Sequence, residues 1–340
     1  MIRNSPGFQL GKIQPFSGQS HSFESSTLAR FNTKPPSPAQ ALARIGESLE
    51  EGGRDSPLLN IALLKVSGRS AVFSARLDGE KVVVKQFYQA RKALIVQRLK
   101  AALDRAALHM NDPCFQVIKP LEILPDQGIA ILSHAPGKTV AAHLPGLPAN
   151  ERAALLTRCG AWHVSYIGNR HKTARFSADF WHNNLSQILP PPMRADKKYI
   201  FETLLGALRA EIPPIAGAPQ IIAATHGDFG VENLMIDNAV LTGIDIETTS
   251  WMPVAREAAR FLVWLHSSYP PPAQTMRHGI FEDDQTALFA SGLMQAGNNP
   301  AVFRFFIGHQ LLLRFMHMRA DPVTYERLLK MITNFLGARP

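Results

Sequence analysis

Between residues 57 and 87, three short β-rich runs follow one another: LLNIALLKV, SAVFSARL and KVVVKQF, separated by SGRS (67–70) and LDGE (77–80). Turns this short join only antiparallel neighbours, because a parallel pair needs a long crossover. Asp78-Gly79 is a hairpin signal in its own right. The next segment, ARKALIVQRLKAALDRAALHM (90–110), carries apolar residues at helical spacing. Two further strands follow near 115–124 and 128–134, joined by PDQG. After APGKT (135–139) the periodicity becomes helical, with helices expected over 151–168, 197–210, 253–268, 283–295, 300–319 and 322–336. The pattern predicts an α+β chain with a small antiparallel β lobe over 57–134 and a larger, mostly helical lobe over 135–340. The two join near 133–137. Residues 1–56 read as a flexible extension rich in Ser, Pro, Gly and Asn, with one short helix in SPAQALARIGESL, where Ser precedes Pro in the first turn.

Bulk properties narrow the class. Hydrophobic residues make up 46% of the chain and charged ones 19%, which is enough apolar material for a globular core. Cys114 and Cys159 are too few for a disulfide framework or a zinc site, and read as reduced thiols of a cytoplasmic protein. No apolar run is long enough to span a bilayer, and the N-terminus lacks the apolar core of a secretory signal. The net charge of +9 favours anionic partners. Charge alone supports a nucleic-acid module, so nucleic acid ranks low as a partner. Arg91, Lys92, Arg98, Lys100 and Arg105 form a basic helix face that reads as solvated, with peripheral docking to an anionic surface as the minority reading.

The chemistry is concentrated in ATHGDFGVENLMID (224–237) and LTGIDIE (241–247). An apolar run stops at His226-Gly227-Asp228, Asn233 lies five residues after Asp228, and Asp245 lies twelve after Asn233. A tight hairpin at Asp237-Asn238 brings Asn233 and Asp245 to one end of a ribbon. A carboxylate and a carboxamide oxygen are hard ligands that suit Mg²⁺ held together with phosphates. Asp228 beside them can orient a hydroxyl and accept its proton, the layout of phosphoryl transfer. In the β lobe, Lys85 closes VVVK on the third strand, where a kinase-type lysine sits. The turn carrying Ser67, Gly68 and Ser70 can lay N–H groups and hydroxyls over phosphates. His226 reads as a hydrogen-bonding loop residue, since Asp228 already serves as base. Trp162, His163 and Tyr166 read as helix packing, and FRFFIGHQLLLRFMHM as core.

Over about residues 58–268, HGDFGVENLMID…GIDIE resembles the motif of the aminoglycoside phosphotransferase and choline kinase group, the small-molecule branch of the protein-kinase-like fold. The resemblance implies a bilobal protein-kinase-like fold and an ATP- and Mg²⁺-dependent transfer to a small-molecule hydroxyl acceptor. It casts Asp228 as base, Asn233 and Asp245 as metal ligands, and Lys85 as the phosphate-binding lysine. ILSHAPGKTV (131–140) resembles the segment between the lobes, so Ser133 to Ala135 would offer backbone groups to adenine. MPVAREAARFL (252–262) resembles the helix after the metal-binding Asp, with Glu257 where Asp is common. The family's lysine pairs with a Glu of the first long helix, yet residues 86–110 contain none; Asp104 is the only acid there, and Gln97 the neutral substitute. Glu247 reads as a supporting acid.

The helical lobe has fewer acids than bases, which argues for a neutral or anionic sugar or amino-alcohol acceptor over a polycationic aminoglycoside. A short basic-aromatic stretch, VVVKQFYQARKA, faintly resembles kinases of lipopolysaccharide core sugars. A catalytically inactive nucleotide-binding scaffold on the same fold is the alternative reading.

Overall fold

The computed structural model describes residues 34–53, 57–187, 194–246, 251–271, 275–292, 299–317 and 321–337. Helix α1 (Pro38–Glu51) begins with a capping box: Gln40 N–H donates to Ser37 Oγ at 3.2 Å, and Ser37 N–H to Gln40 Oε1 at 2.8 Å. Strands β1 (Leu59–Val66), β2 (Ser70–Leu77) and β3 (Glu80–Phe87) form a meander; α2 (Lys92–His109) follows, then β4 (Phe115–Val117), β5 (Pro120–Leu124) and β6 (Ile129–Ser133). The five-stranded antiparallel sheet runs β1-β2-β3-β6-β5. Asp78 and Gly79 both have positive φ (53° and 86°), which is what a tight β2–β3 hairpin needs.

The two-residue period of β3 sorts its side chains. Val82 and Val84 join Phe73, Ile129 and Ile131 under α1, whose Ala41 and Ile45 are buried there. Gln86 points the same way and donates to Ser48 Oγ at 3.0 Å. Lys85 and Phe87 face the opposite side, where Phe87, Ala130 and Leu132 join the larger core. Helix α1 is therefore part of the sheet's packing. The exposed face of α2 carries Arg91, Arg98, Lys100 and Arg105 in solvent.

The segment expected as one strand over 115–124 divides in two. Pro120 has no N–H to donate and opens β5, whereas β4 leaves the five-stranded sheet. It pairs in parallel with β11 (Val240–Gly243), in a sheet of order β4-β11-β10-β7 that also holds β7 (Lys138–Thr139) and β10 (Leu234–Asp237). This anchors the metal-type hairpin to the β lobe. At the connection Gly137 has φ +85°, and a Cβ there would lie 2.0 Å from Ile236 O, so only glycine fits.

The helical lobe comprises α3 (Val140–His143), α4 (Ala149–Ile167), α5 (Ala178–Gln187), α6 (Ala195–Ala210), α7 (Ile212–Ile215), α8 (Val254–Ser268), α9 (Glu282–Phe289), α10 (Pro300–His317) and α11 (Pro322–Gly337). A small sheet of β8 (His171–Arg175), β9 (Pro219–Ala224) and β12 (Trp251–Pro253) leads into the catalytic-type loop. The sequence reading does not find α5, whose ADFWHNNLSQ has poor helix propensity; burial of Trp181 and Leu185 holds it. No helix among the described residues is long and apolar enough to cross a membrane. The molecule has the bilobal protein-kinase-like fold.

Candidate active site

Strand β9 delivers His226, Gly227 and Asp228 at its end, and the β10–β11 hairpin delivers Asn233 and Asp245. Its register, Leu234↔Gly243 through Asp237↔Val240, sets Asn233 beside Ile244, whose N–H donates to Asn233 O at 2.9 Å. Gly243 lies against α4: a Cβ there would be 2.0 Å from Trp162 Cζ2. Asp245 has φ +59°, a conformation rare outside glycine, Asn and Asp, and one that non-glycine residues hold only where the surroundings enforce it.

His226 enforces it. Its Nδ1 accepts the N–H of Asp228 at 3.2 Å, so Nε2 carries the proton and donates to Ile244 O at 2.9 Å. One imidazole thus ties the Asp228 loop to the residue before Asp245. Phe229, fully buried, pins the loop from below by stacking on His163 (4.3 Å), Phe261 (4.7 Å) and Trp162 (6.0 Å). Glu257 Oε2 accepts the N–H of Gly227 at 3.2 Å. Burial raises the Glu257 pKa, against the pull of Arg256, Arg260 and that N–H.

Asn233 turns its amide nitrogen to Asp228, donating to the backbone O at 2.8 Å and to Oδ2 at 3.0 Å. Its carboxamide oxygen is thereby directed away from Asp228. Lys85, 6% exposed, forms an ion pair with Asp245 Oδ1. Burial would raise the Asp245 pKa, but the Lys85 ammonium outweighs it and holds the carboxyl below its ordinary range. Registers Lys65↔Val72 and Val72↔Lys85 put Lys65 and Lys85 on one rung and one face of the sheet, about 10 Å apart at two strand spacings. Asp228, Asn233, Asp245 and Lys65 line one cleft of about 250 Å³, together with Arg260 and Trp264.

Other expected site residues lie differently. Asp104 is on the exposed face of α2 and pairs with Lys100 at 2.5 Å, not with Lys85; the four-residue spacing puts those two side chains on one helix surface. Gln97 is exposed as well. The Ser67–Ser70 turn is bonded to itself: Ser67 Oγ accepts from the N–H groups of Arg69 (3.2 Å) and Ser70 (3.1 Å), and Ser67 N–H donates to Ser70 O. The N–H groups of Arg69 and Ser70 are thus engaged within the turn that also holds Gly68. Ser133 exchanges bonds with Lys119: its N–H donates to Lys119 O at 2.8 Å, and its Oγ accepts Lys119 N–H at 2.8 Å. That N–H is therefore engaged within the β lobe, while Ala135 is buried nearby in the chain. Glu247 lies outside the described residues.

Sequence reasoning did not find Lys65 or Arg260. Arg260 stands three residues after Glu257 on α8, one helical turn along, and forms an ion pair with Asp228 Oδ1. The only linear signal was that spacing.

The buried imidazoles predict acid sensitivity. Burial lowers His226 to about 4 and His163 to about 3, so both are neutral in the folded state. Unfolded histidines titrate near 6.5 and bind protons first as pH falls, so stability is full above about pH 6.5 and declines towards pH 4. His226 alone would account for about 3 kcal/mol across that window. Urea denaturation at pH 7.5, 6 and 5 measures this, and His226→Gln should flatten the profile.

A family model described as the phosphotransferase enzyme family matches residues 65–293. No curated protein matches the chain. Among solved structures, the aminoglycoside phosphotransferase APH(4)-Ia superimposes with a TM-score of 0.57 at 13% identity, covering 88% of this chain and 99% of that one. An amicoumacin kinase gives 0.54 at 11% identity over 89% and 96% of the two chains, and a glucosamine kinase 0.51 at 13% over 90% and 84%. The fold of these structures is the fold described above, and the matched span runs from Lys65 through Lys85, Asp228, Asn233 and Asp245 to α9: the chain belongs to the phosphotransferase enzyme family.

Proposed function

We propose that this protein transfers the γ-phosphoryl group of ATP to a hydroxyl of a small molecule, with Asp228 as the base. The observation that carries the reading is the convergence of Lys85 on Asp245 beside the Asn233–Asp228 pair. Residues 57–134 serve as the nucleotide lobe and 135–340 as the catalytic and acceptor lobe. Related folds support the nucleotide: one aminoglycoside phosphotransferase is described in complex with AMP-PNP and hygromycin B, and the amicoumacin kinase with AMP-PNP and Ca²⁺.

The donor set suits Mg²⁺. Asn233 and Asp245 offer two hard oxygens, and the described residues contain no cluster of three or more His, Cys, Asp or Glu that could cage a metal alone. Mg²⁺ is commonly held by one or two such ligands plus phosphates and water. When bound, it neutralises phosphate charge. Lys85, now paired with Asp245, is the cation within reach of the same phosphates. Asn233 holds Asp228 through Oδ2, and Oδ1, which pairs with Arg260 here, is the oxygen that would turn to the acceptor hydroxyl, orient it and accept its proton. Free Cys114 and Cys159 accord with a reducing, cytoplasmic setting.

The acceptor is a neutral or anionic sugar or amino-alcohol compound in this reading, because Lys65 and Arg260 share the cleft with the acids. Incubation with Mg-ATP and a panel of hydroxyl compounds, read by ADP release, tests the transfer. Turnover is expected with at least one class and is expected to stop with excess EDTA. Asp245→Asn should raise the Mg²⁺ requirement at least tenfold. Nucleotide binding without turnover, unaltered by Asp245→Asn, would identify a scaffold instead.

A further inference from the structure

The same cleft holds a cation that phosphoryl transfer alone does not call for. Arg260 reaches from α8 to the carboxylate of Asp228, the place where an acceptor hydroxyl must arrive. Its guanidinium is set in position by two other groups as well: Nη1 donates to Phe229 O at 3.0 Å, and the Trp264 ring lies 4.9 Å beneath it. Two of its five N–H donors are thus accounted for by Phe229 and Asp228, and the side chain lines the cleft. A second guanidinium, that of Arg314 on α10, lies 5.1 Å from the same indole, held by Ser267 Oγ (3.3 Å) and Ser268 Oγ (3.2 Å).

We propose that Arg260 is the recognition group for an oxyanion on the acceptor, so that the hydroxyl compound phosphorylated here carries a carboxylate or a phosphate. The inference rests on the phosphotransferase reading of the cleft and narrows it. With Asp228 and Asp245 assigned to base and metal, the remaining charged groups among the described residues that line the cleft are Lys65, Arg260 and Glu232, with Arg314 against Trp264. Glu232 is engaged with the Tyr269 hydroxyl and faces Arg314. The balance is cationic. A guanidinium fork matches a carboxylate or phosphate with two parallel bonds, which a hydroxyl cannot supply and an ammonium opposes. The Asp228–Arg260 pair then marks where the oxyanion would bind. An arriving oxyanion takes over the guanidinium, and Asp228 keeps its bond from Asn233 while turning to the hydroxyl.

The test uses the full chain saturated with Mg-AMP-PNP, so that the nucleotide's phosphate site is filled. Calorimetry compares four matched probes: a hexose, its 2-amino derivative, its uronic acid and its 6-phosphate. At least one of the two anionic probes should bind at least tenfold tighter than the hexose, and the amino sugar should bind no tighter than the hexose. Preference for the uronic acid alone, or for the 6-phosphate alone, identifies which oxyanion is read. Arg260→Gln should bring the anionic-to-neutral ratio to about one, and Arg260→Lys should retain part of it, with both variants checked for an unchanged melting profile. The same ratio in kcat/KM with Mg-ATP should fall mainly through KM. Equal or weaker binding of both anions, no anion binding at millimolar concentration, or a preference that survives in Arg260→Gln overturns the inference. Transfer to the hexose or amino sugar without that preference leaves the phosphotransferase reading standing and removes this one. Arg260-dependent anion binding with no transfer to any probe does the reverse.

Discussion

Asp228→Asn is expected to lower turnover about 10²- to 10⁴-fold, the usual contribution of a positioned general base. Asparagine is nearly isosteric, and its Oδ1 can still accept from Asn233 Nδ2, which lies 3.0 Å from the native carboxylate. The loop should keep its shape, because Phe229 is fully buried and the N–H of Asp228 is held by His226. What disappears is the negative charge that orients the hydroxyl and receives its proton. Nucleotide affinity should therefore stay within about twofold, since Lys85 and Asp245 are untouched, and the loss should appear in kcat. Steady-state kinetics with a responsive acceptor, alongside nucleotide titration, measures both quantities. A variant that turns over at the native rate would remove Asp228 from the role of base. Stability is a poor readout here, because the Asp228 side chain is 44% exposed and its pair with Arg260 is solvent-screened.

The largest expected effect on stability lies away from the cleft. Asp284 on α9 is 1% exposed and accepts from Arg152 Nε at 3.0 Å and Nη2 at 2.8 Å, and from His266 Nε2 at 3.0 Å. Arg152 also donates to Tyr269 O at 2.8 Å, and His266 Nδ1 accepts Phe281 N–H at 3.2 Å. One carboxylate therefore joins α4, α8 and α9. Burial works against its charge, but the bonds from His266 and Arg152 prevail and hold its pKa at about 2. Asp284→Ala leaves Arg152, 3% exposed, without its counter-charge and should cost about 3–5 kcal/mol. That is a large share of the 5–15 kcal/mol typical of a folded chain. Urea denaturation should show the midpoint fall. Replacing both partners, as in Arg152→Met with Asp284→Leu, should recover much of the loss, because the penalty comes from an unpaired buried charge. A single variant as stable as the native protein would show that water reaches this triad. The lowered pKa means the carboxylate's contribution is complete above about pH 4 and fades as pH falls towards 2.

Much of the fold was readable because its signals are local. The turns at 67–70 and 77–80 force β1, β2 and β3 into a meander, and the apolar spacing of 90–110 and 151–168 becomes α2 and α4. Where local signals mislead, a distant partner decides. Residues 115–117 have the composition of a strand in the main sheet, yet they pair with β11, more than a hundred residues away. Asp104 has the charge to meet Lys85 but lies on the solvent face of its helix, beside Lys100.

Residues close in the chain come together through the hairpin that their spacing predicts. Asn233 and Asp245 flank one tight hairpin and Asp228 precedes Asn233 by five residues, which leaves their side chains few ways to lie apart. The sequence by itself therefore determined the antiparallel meander, the helical lobe and the composition of the acidic cluster. Tertiary structure alone decided that Lys85 meets Asp245, that α1 seals the sheet, and that Arg260 stands against Asp228. Periodicity says which face of an element is apolar, but which partner meets a polar residue depends on how separate elements pack, and that is settled by burial summed over the whole core.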